Sequence, residues 1–179
     1  LLPETSTSYD LGLEWERGKT SYHLSYFHND VKNLIDTQYE GDHYSYVNRK
    51  KAAIQGLEME FSHPWHENWT LDASYTYVDG KDNFSSTRLD NRSRHTLVGS
   101  ISYDDHHSYG YTGKLWDSFH GDYHFDGKDY TYHAVNLSIQ KHWGPSLLLT
   151  AGLYNMGNKK IDALYINGRE WYLGMEYKM

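Results

Sequence analysis

Along its whole length the chain alternates apolar and polar residues with a period of two, in extended segments separated by breaks that are short, then long, then short again. In the first segment Tyr9, Leu11, Leu13 and Trp15 share one face, and Asp10, Gly12, Glu14 and Glu16 the other. The last segment repeats the arrangement, with Trp171, Leu173, Met175, Tyr177 and Met179 set against Tyr172, Gly174, Glu176 and Lys178. Comparable rows are Leu71, Ala73, Tyr75 and Tyr77; Leu97, Gly99, Ile101 and Tyr103; Val135, Leu137 and Ile139; and Leu147, Leu149, Ala151 and Leu153. Successive side chains of a strand point to opposite sides, so each segment presents one greasy face that needs an apolar neighbour.

The alternation predicts about nine strands, each near the 9 to 11 residues with which a tilted strand crosses a bilayer. They run over Ser6 to Glu16, Thr20 to Leu34, Val47 to Ser62, Asn68 to Val78, Ser93 to Tyr103, Tyr109 to Phe119, Thr131 to Trp143, Ser146 to Asn155 and Gly168 to Met179. Short breaks lie at Arg17 to Lys19, His63 to Glu67, Asp104 to Ser108 and Gly144-Pro145; long ones lie at Ile35 to Tyr46, Asp79 to Arg92, His120 to Tyr130 and Met156 to Asn167. Composition decides what the greasy faces meet. Only 38% of the 179 residues are hydrophobic, yet 16% are aromatic and 18 are tyrosine. That is thin for a soluble core and suits a wall apolar at every second position with aromatic girdles at its interfaces. Trp15, Trp65, Trp69 and Trp143 flank three short breaks, and Tyr103 and Tyr109 the fourth.

The expected fold is therefore all-β, an antiparallel up-and-down transmembrane β-barrel wall. Its short turns would be periplasmic, its long loops external and its C-terminus at the periplasmic rim of a bacterial outer membrane. No apolar run approaches the roughly 20 residues of a spanning helix. Absence of cysteine excludes a disulfide or cysteine-zinc framework, and a net charge of −7 argues against a nucleic-acid partner. On the third strand Ile54 falls out of phase with Ala53, Leu57, Met59 and Phe61, through a bulge or because it faces a buried plug.

Several stretches, in order, carry a resemblance. They are Leu2-Pro3-Glu4-Thr5-Ser6; Asn29-Asp30-Val31 with Leu34-Ile35; Asn48, Ala53 and Gly56-Leu57-Glu58; and Ser74-Tyr75-Thr76-Tyr77. Leu89, Arg92 and His95 follow, then Asn155, Asn158-Lys159 and Gly168-Arg169-Glu170-Trp171-Tyr172-Leu173-Gly174. Together they resemble the C-terminal barrel portion of TonB-dependent outer-membrane receptors of the cobalamin, haem and siderophore branch. Two departures are Ser93 in place of a proline and Met179 in place of a terminal phenylalanine.

The resemblance implies that residues 1–179 are about nine C-terminal strands of a barrel of about 22 strands, without the plug. It implies active import of a metal chelate, a ferric siderophore, haem or cobalamin, with no covalent cofactor. Implied partners are an N-terminal plug and the remaining strands, in the same gene product or a separate chain, the TonB complex acting through the plug, and outer-membrane lipid. An open sheet in lipid leaves backbone groups unsatisfied at several kcal/mol each, which is why such a chain needs company.

Candidate ligand-binding residues follow from position. Arg92, Arg94, Lys114 and Trp116 are expected on the inward face near the outer mouth, as an electropositive throat for an anionic chelate or as charges paired with neighbouring carboxylates. Twelve histidines raise iron, haem or copper handling. His43, Tyr44, His120 and His124 lie in predicted external loops beside Asp42, Asp117, Asp122 and Tyr123, offering ligand types that a metal or haem accepts, although solvated loops collect the same residues. His63, His66, His106, His107 and the Asp104-Asp105 pair read as turn residues. Nothing resembles a nucleophile elbow, a phosphate loop or a catalytic carboxylate pair, so no enzyme is expected. The rival readings are a self-contained small barrel, as passive channel or adhesin, and a soluble lectin-like β-sandwich.

Overall fold

The computed structural model describes residues 1–82, 87–105 and 108–178. Nine strands pair, each antiparallel to the next, in one sheet: β1 (Thr5–Arg17), β2 (Thr20–Glu40), β3 (His43–His66), β4 (Trp69–Asp82), β5 (His95–Asp104), β6 (Tyr111–Phe125), β7 (Lys128–Trp143), β8 (Leu147–Tyr154) and β11 (Glu170–Tyr177). Between β8 and β11 lies a small hairpin of β9 (Lys160–Ile161) and β10 (Ile166–Asn167), bracketing a 3-10 turn at Asp162–Leu164. The order is the chain order, an up-and-down meander, with β1 and β11 at its two edges.

Register shows how the alternation builds two faces. Opposed residues share a face, so the pairings Leu13↔Leu24, Leu24↔Met59, Met59↔Tyr75, Tyr75↔Leu97 and Leu97↔Phe119 run one apolar row across six strands. The row Leu115↔Leu137, Leu137↔Leu153 and Leu153↔Trp171 continues the face to β11. In the isolated chain these side chains are open: Leu11 is 75% exposed, Leu173 88% and Trp171 75%. So extended a bare apolar surface belongs to a lipid or protein interface. Trp15 stacks on Tyr22 at 4.9 Å and Trp69 leans on Tyr103 at 4.8 Å, both beside short turns.

Two expected long loops are corrected. Segment 35–46 is the continuation of β2 and β3, which stay paired to Glu40↔His43 around the Gly41-Asp42 turn. Segment 120–130 is likewise the outer end of β6 and β7, paired to Phe125↔Lys128 around Asp126-Gly127. Asp126 (φ 49°) and Gly127 (φ 69°) both take the left-handed conformation that a two-residue type I′ turn demands, and Gly41 (φ 71°) opens its own turn. On the other side, β3 runs through His63 to His66, so these histidines end a strand instead of forming a turn. Asp105 fastens its turn by accepting hydrogen bonds from the Tyr103 hydroxyl (2.8 Å) and the Tyr111 amide (2.9 Å), which accounts for that carboxylate without acid–base chemistry. His106, His107 and Met179 lie outside the described residues.

Ile54 keeps its phase without a bulge. It sits on the polar face, packed against a small buried cluster of Val31, Ala52 and Leu89 together with Leu34. Leu89 arrives on a strap, residues 87–94, that folds back over the inner side of β4. Gly80 makes room for it, since a Cβ there would sit 3.3 Å from both Leu89 and Arg92.

Candidate functional site: the polar inner face

Two zones divide the polar face. Toward the short turns, Glu14, Glu16, Glu60 and Asp72 line a trough of about 910 Å³ together with His23 and Lys114. Its carboxylates are partly engaged: Glu14 lies 3.3 Å from His23 Nδ1, and Asp72 accepts hydrogen bonds from Ser62 (2.7 Å) and Ser100 (3.3 Å). Lys114, opposite Ser102 and Ser138, belongs to this lower zone near the start of β6. The expectation that it lies at the same end of the wall as Arg92 and Arg94 does not hold, since Lys114 sits at the short-turn end; parity gives its face, and only the register gives its height.

Above the trough the face turns aromatic. Trp116 meets Tyr154 edge-on at 5.9 Å, Tyr154 stacks on Tyr172 at 5.0 Å, and the Tyr172 hydroxyl donates to Ser138 at 2.8 Å. Tyr172 lies flat across Gly152, where a Cβ would come within 2.1 Å of its ring. Higher on β6 and β7, His120 stacks on Tyr132 at 4.8 Å and pairs with Ser93 at 3.1 Å, with Tyr123 beyond. Tyr132 and Tyr154 were not singled out from sequence, although strand parity already put Tyr172 on the polar face.

Two of the cations expected to form a throat, Arg92 and Arg94, lie beside acids. Arg92 is largely withdrawn from solvent; burial lowers its pKa, opposed by Asp36 and Asp90 nearby. Arg94 stands 3.9 Å from Asp79. Of the four residues expected together, then, the structure puts Arg92 and Arg94 around the strap, Trp116 in the aromatic zone and Lys114 in the trough.

The expected loop cluster is also split. His43 sits at the tip of the β2–β3 hairpin, 2.7 Å from Asp42, with the Tyr44 ring tilted against Tyr39 at 4.9 Å. His120 and His124 belong to the β6–β7 hairpin instead. Asp117, within the expected strand, does not join the histidines of the hairpin tips: it faces Val135 and Gly99 on the apolar side of β6, 3.3 Å from His133. His124 is tied down. Its Nδ1 donates to Asp129 at 2.8 Å, and Arg88 of the strap donates to the same carboxylate at 2.6 Å. The hydrogen bond from His124, with Arg88 beside it, holds Asp129 below the usual carboxylate range. Among the described residues no group of three or more histidine and carboxylate side chains is arranged to hold a metal ion.

The family description "TonB dependent receptor-like, beta-barrel" matches residues 1–156. The ferric enterobactin receptor PirA of Pseudomonas aeruginosa is 30% identical over an alignment of 109 residues that covers 56% of this chain and 15% of that protein. The solved siderophore receptor PirA of the same organism superposes with a TM-score of 0.72 at 25% identity, covering 97% of this chain and 29% of that one. The copper transporter OprC has a TM-score of 0.80 at 18% identity, covering 99% and 32%, and so shares the fold. The chain thus spans about a third or less of the length of the relatives it matches. A nine-stranded meander with one greasy and one polar face, matched over most of its length, belongs to the TonB-dependent receptor β-barrel family.

Proposed function

We propose that this chain supplies part of the wall and the external hairpins of a TonB-dependent importer of a metal chelate, a ferric siderophore ahead of haem or cobalamin. The observation that carries the reading is the pair of faces: an apolar side fit for acyl chains, interrupted at Asp117 and His133, and behind it a polar side lined with aromatic rings and acids. Identity to a ferric enterobactin receptor supports the siderophore choice. In this reading the short-turn rim with its tryptophans, and with it the C-terminal end of β11, is periplasmic.

The rest of the site comes from elsewhere. Further strands pair with the edges β1 and β11, because open edges in hydrocarbon cost several kcal/mol per unsatisfied group. A plug fills the bore, its basic groups facing the acidic trough of Glu14, Glu16, Glu60 and Asp72, and couples to TonB. Ligand is then held where external hairpins, upper wall and plug meet, and Trp116, His120, Tyr154 and Tyr172 present π-faces and hydroxyls rather than free charge. The chemistry needed is binding and release, with no bond made or broken in the protein.

Uptake of radiolabelled ferric enterobactin by cells in which this receptor is the sole candidate route tests the reading. Uptake is expected to stop when the gene is deleted and equally when the inner-membrane energy supply is uncoupled. Unchanged uptake in the deletion strain contradicts the siderophore assignment, and uptake that survives uncoupling contradicts active import.

A further inference from the structure

We propose that His124 is a proton-operated clasp that fixes the strap 87–94 over the outer part of the inner wall. The strap is held at two places. At one, Leu89, 2% exposed, is seated among Val31, Ala52, Leu34 and Ile54, and its amide donates to the Gly80 carbonyl at 3.0 Å. At the other, the strap lies along the outer end of β6. The Asn91 amide donates to the His124 carbonyl at 2.8 Å, the His124 amide donates to the Arg92 carbonyl at 3.0 Å, and Arg88 reaches the Asp122 carbonyl at 2.8 Å.

The His124 ring stands at the centre of this second attachment, its side chain only 17% exposed. It has a carboxylate at each nitrogen: Asp129 of β7 at 2.8 Å from Nδ1, and Asp90 of the strap at 3.7 Å from Nε2. Asp90 Oδ1 is buried and makes no hydrogen bond. A buried carboxylate oxygen without a partner is costly, and a proton on Nε2 sets a compensating positive charge 3.7 Å from it. With both nitrogens protonated, the imidazolium joins Asp90 on the strap to Asp129 on the hairpin. A neutral ring that keeps its Nδ1 proton for Asp129 turns a lone pair toward Asp90, and the two repel.

The other charges around the ring set the limits of the device. Arg88, bound to Asp129 at 2.6 Å, is cationic at every relevant pH and keeps one tie in place when His124 is neutral. Arg92 lies on the strap between Asp36 of β2 and Asp90, and is cationic as well. His120, which meets Ser93 of the strap at 3.1 Å, is pushed toward its neutral form by burial, so raising the pH removes the charge of the His124 ring, leaves both arginines cationic and loosens this end of the strap. The Leu89 anchor stays seated. The part of the wall uncovered is that around the Ser93–His120 contact, beside the aromatic zone.

Hydrogen exchange on the intact outer-membrane protein in nanodiscs tests the clasp without any ligand, so its outcome is independent of the import reading. Protection of the Asn91 and His124 amides, corrected for the intrinsic pH dependence of exchange, is compared at about pH 5.5 and 8.5, on either side of ordinary histidine titration. Protection is expected to fall roughly tenfold toward pH 8.5, the scale of one charge-assisted hydrogen bond. It is expected to be flat in His124→Gln and in Asp90→Asn. The Leu97 and Leu115 amides, in the wall, are expected not to move. Flat protection in the unaltered protein, a pH response that persists in His124→Gln, or a fall shared by Leu97 and Leu115 each overturns the proposal.

Discussion

The lower wall and the hairpins above it are built from the same strands but held by different forces. Between Trp69 and Tyr77, and with the exception of Val98 between Leu97 and Tyr103, residues alternate, one side greasy and the other polar, because each side has its own surroundings. Beyond Lys32 on β2 and Gly121 on β6 the alternation disappears while pairing continues. There water is expected on both sides of the strands, and turns and polar contacts take over from burial. Even the two tall hairpins differ. The β2–β3 tip stands open, with Tyr39, Tyr44 and Tyr46 each at least 60% exposed, whereas the β6–β7 hairpin is strapped down through Arg88, Asp129 and His124.

Charge placement should separate the two regions most sharply. Leu137→Arg, on the apolar side of β7, is expected to cost about 2–4 kcal/mol in denaturant unfolding from bilayers, against less than ~0.5 for Tyr46→Arg at the hairpin tip. Equal costs would mean that the greasy face does not meet lipid.

Next in size is the apolar anchor of the upper region. Leu89→Ala is expected to cost about 2 kcal/mol of local docking, read as faster exchange at Leu89 and Asn91 with wall amides unchanged. An effect spread through the wall would show that the strap and the sheet unfold together.

Gly152→Ala probes close packing on the polar face. The added methyl must push the Tyr172 ring off Tyr154 and away from Ser138, at about 1–2 kcal/mol. A crystal structure with Tyr172 undisplaced would contradict this.

Acid should act on the clasp late. Asp129, held below its ordinary 3.8, stabilises the strapped hairpin at pH above that value, and the contribution is lost only as pH falls through the lowered pKa. Protection of Asn91 is expected to persist at about pH 4.5 and to fall only once the pH drops below 3.8; release already near pH 5 would contradict the geometry. The smallest effect belongs to the free tip: Tyr44→Ala should leave stability within ~0.5 kcal/mol.

How much was legible followed the same division. Wherever two unlike environments flank a strand, period-two alternation located it, and all nine strands of the main sheet were placed this way. The hairpin tops have the sequence character of loops because strands with a similar setting on both faces show no alternation and collect Asp, His and Tyr. The turn at Asp126-Gly127 carried the only local sign, a pair that favours a type I′ hairpin. Parity placed Trp116 on the polar face, but no local pattern reports height along a tilted wall, so Lys114 was set too high. The strap escaped for a different reason. Its contacts join Leu89 to Val31 and Arg88 to Asp129, residues far apart in sequence, and such partners become neighbours only through the sheet.

Everything rests on β5 having one side in hydrocarbon and the other in a hydrated bore. Because the chain contains no cysteine, single cysteines at 97 to 102 can be read one at a time in bilayers, using a membrane-confined spin relaxant against a water-soluble one. Positions 97, 99 and 101 are expected to respond to the first, and 98, 100 and 102 to the second. A uniform response along the segment, or the opposite assignment, would contradict the account.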